Sequence, residues 1–253
     1  MKLHYRTMGK GKPLIILHGV FGSSDNWQTL GRYFAEWCRV FLVDLRDHGF
    51  SPHSDSLDLD VMAGDLKELF EDEGIQEADI IGHSMGGKVA MHFAQLHPEQ
   101  MGHLIVVDMA PKRYEMRHGK LIEALKSLDL ERIKGRKDAD RKLAERIPEE
   151  GVRQFLLKNL HRKGKDEWEW KMNLPLIERD LPKINEPLDE KPVAIPAHFI
   201  RGGNSDYIED GDEELLKRYF PKAELKTVEG SGHWVHAEAP KTFYQLTEDL
   251  LRE

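Results

Sequence analysis

The sequence predicts an α/β fold: a doubly wound, mostly parallel sheet with a helical cap inserted late in the chain. Three observations carry this. Short apolar runs at 13–17, 40–43, 78–81, 104–107 and 198–200 are continuous rather than alternating, which is what strands covered by helices on both faces require. The segments between the early runs are long enough to hold crossover helices, and residues 58–73 read as one, with Leu59, Met62, Ala63, Leu66, Leu69 and Phe70 near helical spacing. From about 112 to 190 the texture turns charged and helical by period with no buried-strand run, which marks an insertion. The expected division is therefore 1–111 for the first part of the core, 112–190 for the cap and 191–253 for the second part of the core.

Composition bounds the rest. A chain of 253 residues can bury a self-sufficient core, and its single cysteine, Cys38, excludes an intramolecular disulfide and suits a reducing compartment. No apolar h-region opens the sequence, and no run approaches the roughly 20 apolar residues of a membrane span. A soluble, cytoplasmic protein without membrane insertion is expected. A net charge of −8 with 32% charged residues argues against a nucleic-acid partner, which usually meets a basic face.

In chain order, the strand at 13–17 runs into His18-Gly19-Val20-Phe21-Gly22, where the glycines allow a sharp turn that leaves amide N–H groups at the carboxyl edge of the sheet. His18 reads as structural, orienting this loop by hydrogen bonds. The next strand leads to Asp44-Leu45-Arg46-Asp47-His48-Gly49-Phe50-Ser51, by itself a solvated turn with paired charges. Residues 78–94 then read as strand, sharp turn and helix around Gly82-His83-Ser84-Met85-Gly86. A serine on such a turn has its hydroxyl thrust out of the sheet, and small residues two before and two after it are needed to avoid the neighbouring strand and helix. The N–H of Met85, at the start of that helix, lacks an intrahelical partner, and with Val20, or alternatively Phe21, it would form an oxyanion hole.

After 104–107 comes Asp108, a carboxylate at the carboxyl end of a buried strand, where α/β enzymes keep their chemistry. Within the insertion, 121–125 and 152–160 read as amphipathic helices, while Trp168, Trp170, Met172 and Leu174 alternate with polar residues and suggest an extended segment with one apolar face. That face either packs the insertion onto the core or lines a pocket mouth above Ser84. The core resumes at 195–201, followed by Gly202-Gly203-Asn204-Ser205-Asp206, a helix near 209–219 and a strand near 224–228. Glu229-Gly230-Ser231-Gly232-His233 places a histidine on a glycine-flexed loop before the closing helix, where a general base would reach back to Ser84. His233 and His236 are three apart, but no third zinc ligand is evident, so no metal is expected and His236 reads as structural.

Together, His18-Gly19, Asp44-x-Arg46-x-x-Gly49-x-Ser51, Gly82-x-Ser84-x-Gly86 and Gly232-His233 resemble the α/β-hydrolase family across nearly the whole chain. The segments at 18–23, 107–111, 202–205 and 232–237 look like the YbfF-type esterases and their mitochondrial thioesterase-like relatives. The resemblance implies a serine hydrolase that cleaves small-molecule esters or thioesters without a cofactor, with Ser84 as nucleophile and His233 as base. Short to medium acyl chains are expected, because Trp168, Trp170 and Met172 would crowd the pocket. Carbon–carbon bond hydrolysis on the same residues, or a binding protein that keeps the fold, are the alternatives.

The acid is open between two carboxylates. Counting from Gly203 puts Asp206 at the position most of the family uses, whereas counting from Phe199-Ile200-Arg201-Gly202 puts Ser205 there. Consecutive side chains near a strand end point in different directions, so the one-residue slip matters. The resemblance favours Asp108, since Val-Asp-x-x-Pro at 107–111 is implied to be a hallmark of the YbfF-like group.

Overall fold

The computed structural model describes residues 1–164 and 167–252. The chain opens with β1 (His4–Met8) and β2 (Lys12–Leu17), passes through α1 (Gln28–Phe34) to β3 (Cys38–Asp44), and continues through α2 (Leu59–Glu73), β4 (Ala78–His83), α3 (Met85–Leu96) and β5 (Met101–Val107). There the insertion begins. It holds α4 (Gly119–Lys126), α5 (Arg136–Leu143), α6 (Glu150–Leu157), the short strands β6 (Leu160–Arg162) and β7 (Trp168–Trp170), and α7 (Leu174–Asn185). The chain closes with β8 (Ala197–Gly202), α8 (Glu213–Tyr219), β9 (Ala223–Val228), α9 (Val235–Glu238) and α10 (Pro240–Arg252).

Seven strands form one sheet in the order β1-β3-β2-β4-β5-β8-β9, parallel except for β1, while β6 and β7 make a separate antiparallel pair. Successive residues of the central strands serve different cores, which is why their sequences are continuously apolar. Ile15, Phe41, Ile80, Val106 and Phe199 pack into one layer with α2, α3 and the insertion; Leu14, Ile16, Val40, Ile81, Ile105 and Ile200 pack into the other with α1 and α10. The antiparallel strand β1 is not legible as a strand in the sequence, because an edge strand covered on only part of its surface needs no apolar run.

Helix α2 shows its boundaries in sequence. Asp58 caps it by accepting from the Val61 N–H at 2.9 Å, and Gly74 ends it in the left-handed conformation that favours glycine. The loop 44–51, by contrast, is not a solvated turn: Asp44, Arg46, Asp47 and His48 are all buried. Arg46 donates from Nε and Nη2 to the two oxygens of Asp65 on α2 at 2.6 and 2.8 Å. Asp44 accepts the N–H groups of Ser24 and Phe50 at 2.6 and 2.9 Å, and a Cβ on Gly49 would lie 2.2 Å from the Asp44 carboxyl carbon. The charges of this segment are therefore satisfied in the interior, by α2 and by backbone N–H groups, as buried polar groups must be.

Polar contacts from Asn173 and Lys88 help to fasten the insertion. Asn173 at the start of α7 donates its side-chain N–H to Asp47 Oδ1 at 2.9 Å and its backbone N–H to the Asp47 carbonyl at 2.8 Å. Lys88 on α3, fully buried, donates from Nζ to the carbonyls of Lys112 and Glu186 at 2.7 and 2.6 Å, holding both ends of the insertion to one helix. Burial pushes its ammonium down to about 7. The extended segment expected at 168–174 shrinks to the three residues of β7, with Leu174 already in α7.

Candidate active site

The strand β4 ends in a turn that few residues tolerate. Ser84 has φ 52° and ψ −118°, and its N–H is held by the Val107 carbonyl at 3.0 Å. A Cβ on Gly82 would lie 2.3 Å from the Gly86 carbonyl oxygen, and one on Gly86 would lie 2.6 Å from the carbonyl oxygens of Leu17 and His18. Both glycines are thus required by backbone approaching backbone. Phe21, Asp47 and Asp108 share positive φ values with Ser84, and they are the four such non-glycine residues among those described. They follow β2, β3, β4 and β5, so strained backbone is concentrated at one edge of the sheet, the usual mark of a functional site.

His233 and Asp108 meet at that edge. The imidazole Nδ1 lies 2.7 Å from Asp108 Oδ2; a carboxylate only accepts, so Nδ1 carries the proton and Nε2 is left with its lone pair. Asp108 is fully buried and also accepts from the Ser205 hydroxyl through Oδ2 and from the Gly202 N–H through Oδ1, the latter at 3.2 Å. Asp206 points elsewhere: it is exposed and paired with Arg117. The register counted from the strand residues is therefore the one the chain adopts, and Ser205, not Asp206, faces the histidine's partner.

Several residues that hold this arrangement carried no signal in sequence. Tyr207 stacks on the His233 ring with centroids 3.8 Å apart, and the Arg117 guanidinium lies over Tyr207 at 4.6 Å. Tyr114 accepts from the Ala110 N–H and donates to the Tyr207 carbonyl, both at 2.8 Å, bridging the loops after β5 and β8. His83 donates to the His233 carbonyl at 2.9 Å, and Glu238 accepts the N–H of Gly232 at 2.7 Å. Asn159, buried at the end of α6, donates to the Phe21 carbonyl at 2.6 Å and so fixes the loop of Val20 and Phe21 from the insertion side.

Ser84 opens into two small cavities. One, about 20 Å³, is lined by Val20, Phe21, His118, Phe155, His233 and Trp234; the other, about 10 Å³, by Val20, Met85, Lys88, Tyr114, Arg117 and Tyr207 among others. Each has room for about one water. Val20, Phe21 and Met85 thus border the space beside the Ser84 hydroxyl. Trp168, Trp170 and Met172 border neither cavity, which corrects the pocket-mouth expectation. Met172 is buried in the core and the two tryptophans pack against it, so their apolar alternation reports packing.

Burial disfavours the charged form of five further histidines. His48 and His236 are pushed down to about 3 and His118 to about 4, and His18 and His83 are also lowered. His18 donates from Nδ1 to the Gly19 carbonyl at 2.8 Å and accepts the Leu45 N–H on Nε2 at 3.0 Å, and His236 stacks on Trp27 at 4.1 Å.

A sequence profile described as the alpha/beta hydrolase family matches residues 14–246. The chain belongs to this α/β-hydrolase family. It is 34% identical to Esterase YbfF of Escherichia coli (strain K12) over 259 residues, covering all of both chains. It is also 36% identical to the sn-1-specific diacylglycerol lipase ABHD11 of Mus musculus over 247 residues, covering 94% of this chain and 80% of that one. Among solved structures, one described as a marine microorganism esterase superposes with a TM-score of 0.96 at 42% identity, covering 98% of this chain and 99% of the other. The likeness to YbfF-type esterases read from the motifs therefore stands, and the chain is an α/β-hydrolase of the esterase/lipase type.

Two outcomes follow. Asparagine at the carboxylate that orients the histidine favours the wrong tautomer, which in the serine-protease case cost about 10⁴ in kcat. Asp108→Asn should therefore lose about three to four orders of magnitude in ester hydrolysis while Asp206→Asn stays within about threefold of the parent; the reverse ranking, with both proteins folded, rules out the Asp108 assignment. The buried histidines make stability pH-dependent in a defined direction. Their folded-state values lie below the unfolded 6.5, so the unfolded chain binds more protons on acidification, and stability present above pH 6.5 is lost as the pH falls toward 3, by up to about 3 kcal/mol per such histidine at pH 4. The Tm measured by circular dichroism should fall steadily from pH 6.5 to 4, and a flat profile is incompatible with neutral burial.

Proposed function

We propose that the protein is a serine hydrolase cleaving carboxylic esters or thioesters of short to medium acyl chains through an acyl-enzyme on Ser84. The observation that carries this reading is the His233 imidazole, fixed by Asp108 through Nδ1 and bordering the same cavity as Ser84. His233 Nε2 takes the Ser84 hydroxyl proton as Oγ attacks the carbonyl carbon. The carbonyl π electrons move to oxygen, and that oxyanion is received by the N–H of Met85 together with that of Val20 or Phe21; losing one such donor typically costs about 3 kcal/mol of transition-state stabilisation. Collapse expels an alkoxide or thiolate, which takes the proton from His233. Water, activated by the same imidazole, then attacks the acyl-enzyme and releases the acid.

Asp108 stabilises the imidazolium formed in both halves, and Ser205 and the Gly202 N–H hold its carboxylate in place. In this reading residues 112–190 are a cap on the core of 1–111 and 191–253, and the acyl group lies between Ser84 and cap side chains such as His118, Leu121, Phe155, Leu181 and Ile184. The small volume beside Ser84 favours short to medium acyl chains. The wild type is expected to hydrolyse p-nitrophenyl acetate and butyrate rapidly and the palmitate poorly, in steady-state assays, and Ser84→Ala is expected to abolish turnover. An inert wild type defeats the enzyme reading in favour of a ligand-binding homologue, and a rate that climbs through the palmitate defeats the chain-length reading.

A further inference from the structure

Two larger cavities lie outside the catalytic one, each sharing lining residues with the one before it. Phe155 of α6 and Trp234, ring centroids 5.8 Å apart, border the Ser84 cavity and also line a second, larger cavity of about 460 Å³. Val152, Phe155, Trp234 and Ala237 make much of its wall apolar; of its two carboxylates, Glu238 is engaged by the N–H groups of Gly232 and Trp234. Lys158 at the end of α6 lines this trough and, beyond it, a third cavity of about 340 Å³.

The third cavity is cationic. Arg32, Arg136, Lys158 and Lys171 line it against one carboxylate, Asp25, in a chain whose net charge is −8. Asp25 is itself committed: it pairs with Arg6 at 2.7 Å and Lys171 at 3.4 Å and accepts from Gln28 at 2.7 Å. Arg136 spends one Nη2 bond on the Leu160 carbonyl at 3.0 Å. Arg32 and Lys158 make no ion pair and no side-chain hydrogen bond among the described residues. Unpaired cations gathered in a cup on an acidic protein repel one another, an arrangement that a bound anion relieves.

We propose that this cup is a phosphate-binding subsite, and that the physiological substrate is an ester or thioester whose far end carries phosphate, its neutral middle lying in the trough beside Phe155 and Trp234. The inference rests on the hydrolase reading of Ser84, His233 and Asp108 and adds to it the chemistry of the remote end of the substrate. Two sources fit this chemistry: a phosphorylated thiol carrier such as coenzyme A, and the phosphate of a glycerophospholipid. Arginine forks and lysine ammonium groups serve either. A remote anion held in this way lowers KM and leaves the reacting centre untouched.

The test compares wild type with the double variant Arg32→Gln/Lys158→Gln, neither residue lining the cavities at Ser84. Steady-state kinetics are measured on butyryl-4′-phosphopantetheine, butyryl-pantetheine, butyryl-coenzyme A, a dibutyryl glycerophosphate and p-nitrophenyl butyrate. The expected result is a KM raised about tenfold on the phosphorylated substrates that bind the cup, with little change in kcat and none in either constant on butyryl-pantetheine or p-nitrophenyl butyrate. Coenzyme A and glycerophosphate substrates tell the two sources apart by which one loses affinity. Equal KM values for butyryl-pantetheine and its phosphorylated form in the wild type, or a double variant unchanged on every phosphorylated substrate, overturn the proposal. Calorimetric titration of Ser84→Ala with adenosine 3′,5′-bisphosphate and with inorganic phosphate reads the cup without catalysis. Binding of either that disappears when Arg32→Gln/Lys158→Gln is added supports it, even if p-nitrophenyl butyrate shows the hydrolase reading to be wrong; no binding of either counts against it.

Discussion

The register of β4, β5 and β8 is the constraint on which the rest of this structure depends. His83 lies opposite Val107 and Val107 opposite Ile200, so the three strands end in step. The ladder then continues one residue past each strand: Ser84 N–H bonds to the Val107 carbonyl and Asp108 N–H to the Ile200 carbonyl at 2.8 Å. Ser84 and Asp108 are thereby held on adjacent strand ends in positive-φ conformations that cost on the order of 1–3 kcal/mol each and persist only because the sheet over-determines them. A slip of one residue in either pairing would turn the serine or the carboxylate to the other face.

The Asp108 carboxylate at this edge is buried with both oxygens hydrogen-bonded, which is what fixes the arrangement. Asp108 receives three donors from two segments of chain: His233, and Ser205 with the Gly202 N–H at the end of β8. The imidazole is held further by the Tyr207 ring on its face and by His83 on its backbone carbonyl. An orphaned carboxylate in this position would be strongly unfavourable, and the site's geometry is the set of contacts that avoids it.

The insertion is joined to this edge by a few buried polar bonds rather than by sheet pairing. Asn159 reaches the carbonyl of Phe21, Asn173 reaches Asp47, and Lys88 holds both connecting segments through Lys112 and Glu186. Two of these contacts land on positive-φ residues of the core, so the cap and the strained loops support each other. The seam also brackets the space beside Ser84, which is why that space is small while larger cavities lie outside Phe155 and Trp234.

The sequence by itself determined the parallel strands of the sheet, the turn at Ser84 and the chain order of Ser84, two candidate carboxylates and His233. Continuous apolar runs follow from burial on two faces, and Gly82 and Gly86 follow from backbone contacts that exclude any Cβ; both are local requirements written in residue type. The edge strand β1 was not legible, because half-burial leaves no period. Which carboxylate faces His233, and that Ser205 joins it, is decided by the register of β8 against β5, a pairing between residues some 90 positions apart. The lining of the cavities was decided likewise: the alternating Trp168, Trp170 and Met172 turn to the core, while Tyr114 with His118, Phe155 and Tyr207 come to the space beside Ser84 from three segments. Only the packing of those segments brings them together, because contacts between residues distant in sequence leave no periodicity in any one stretch of chain.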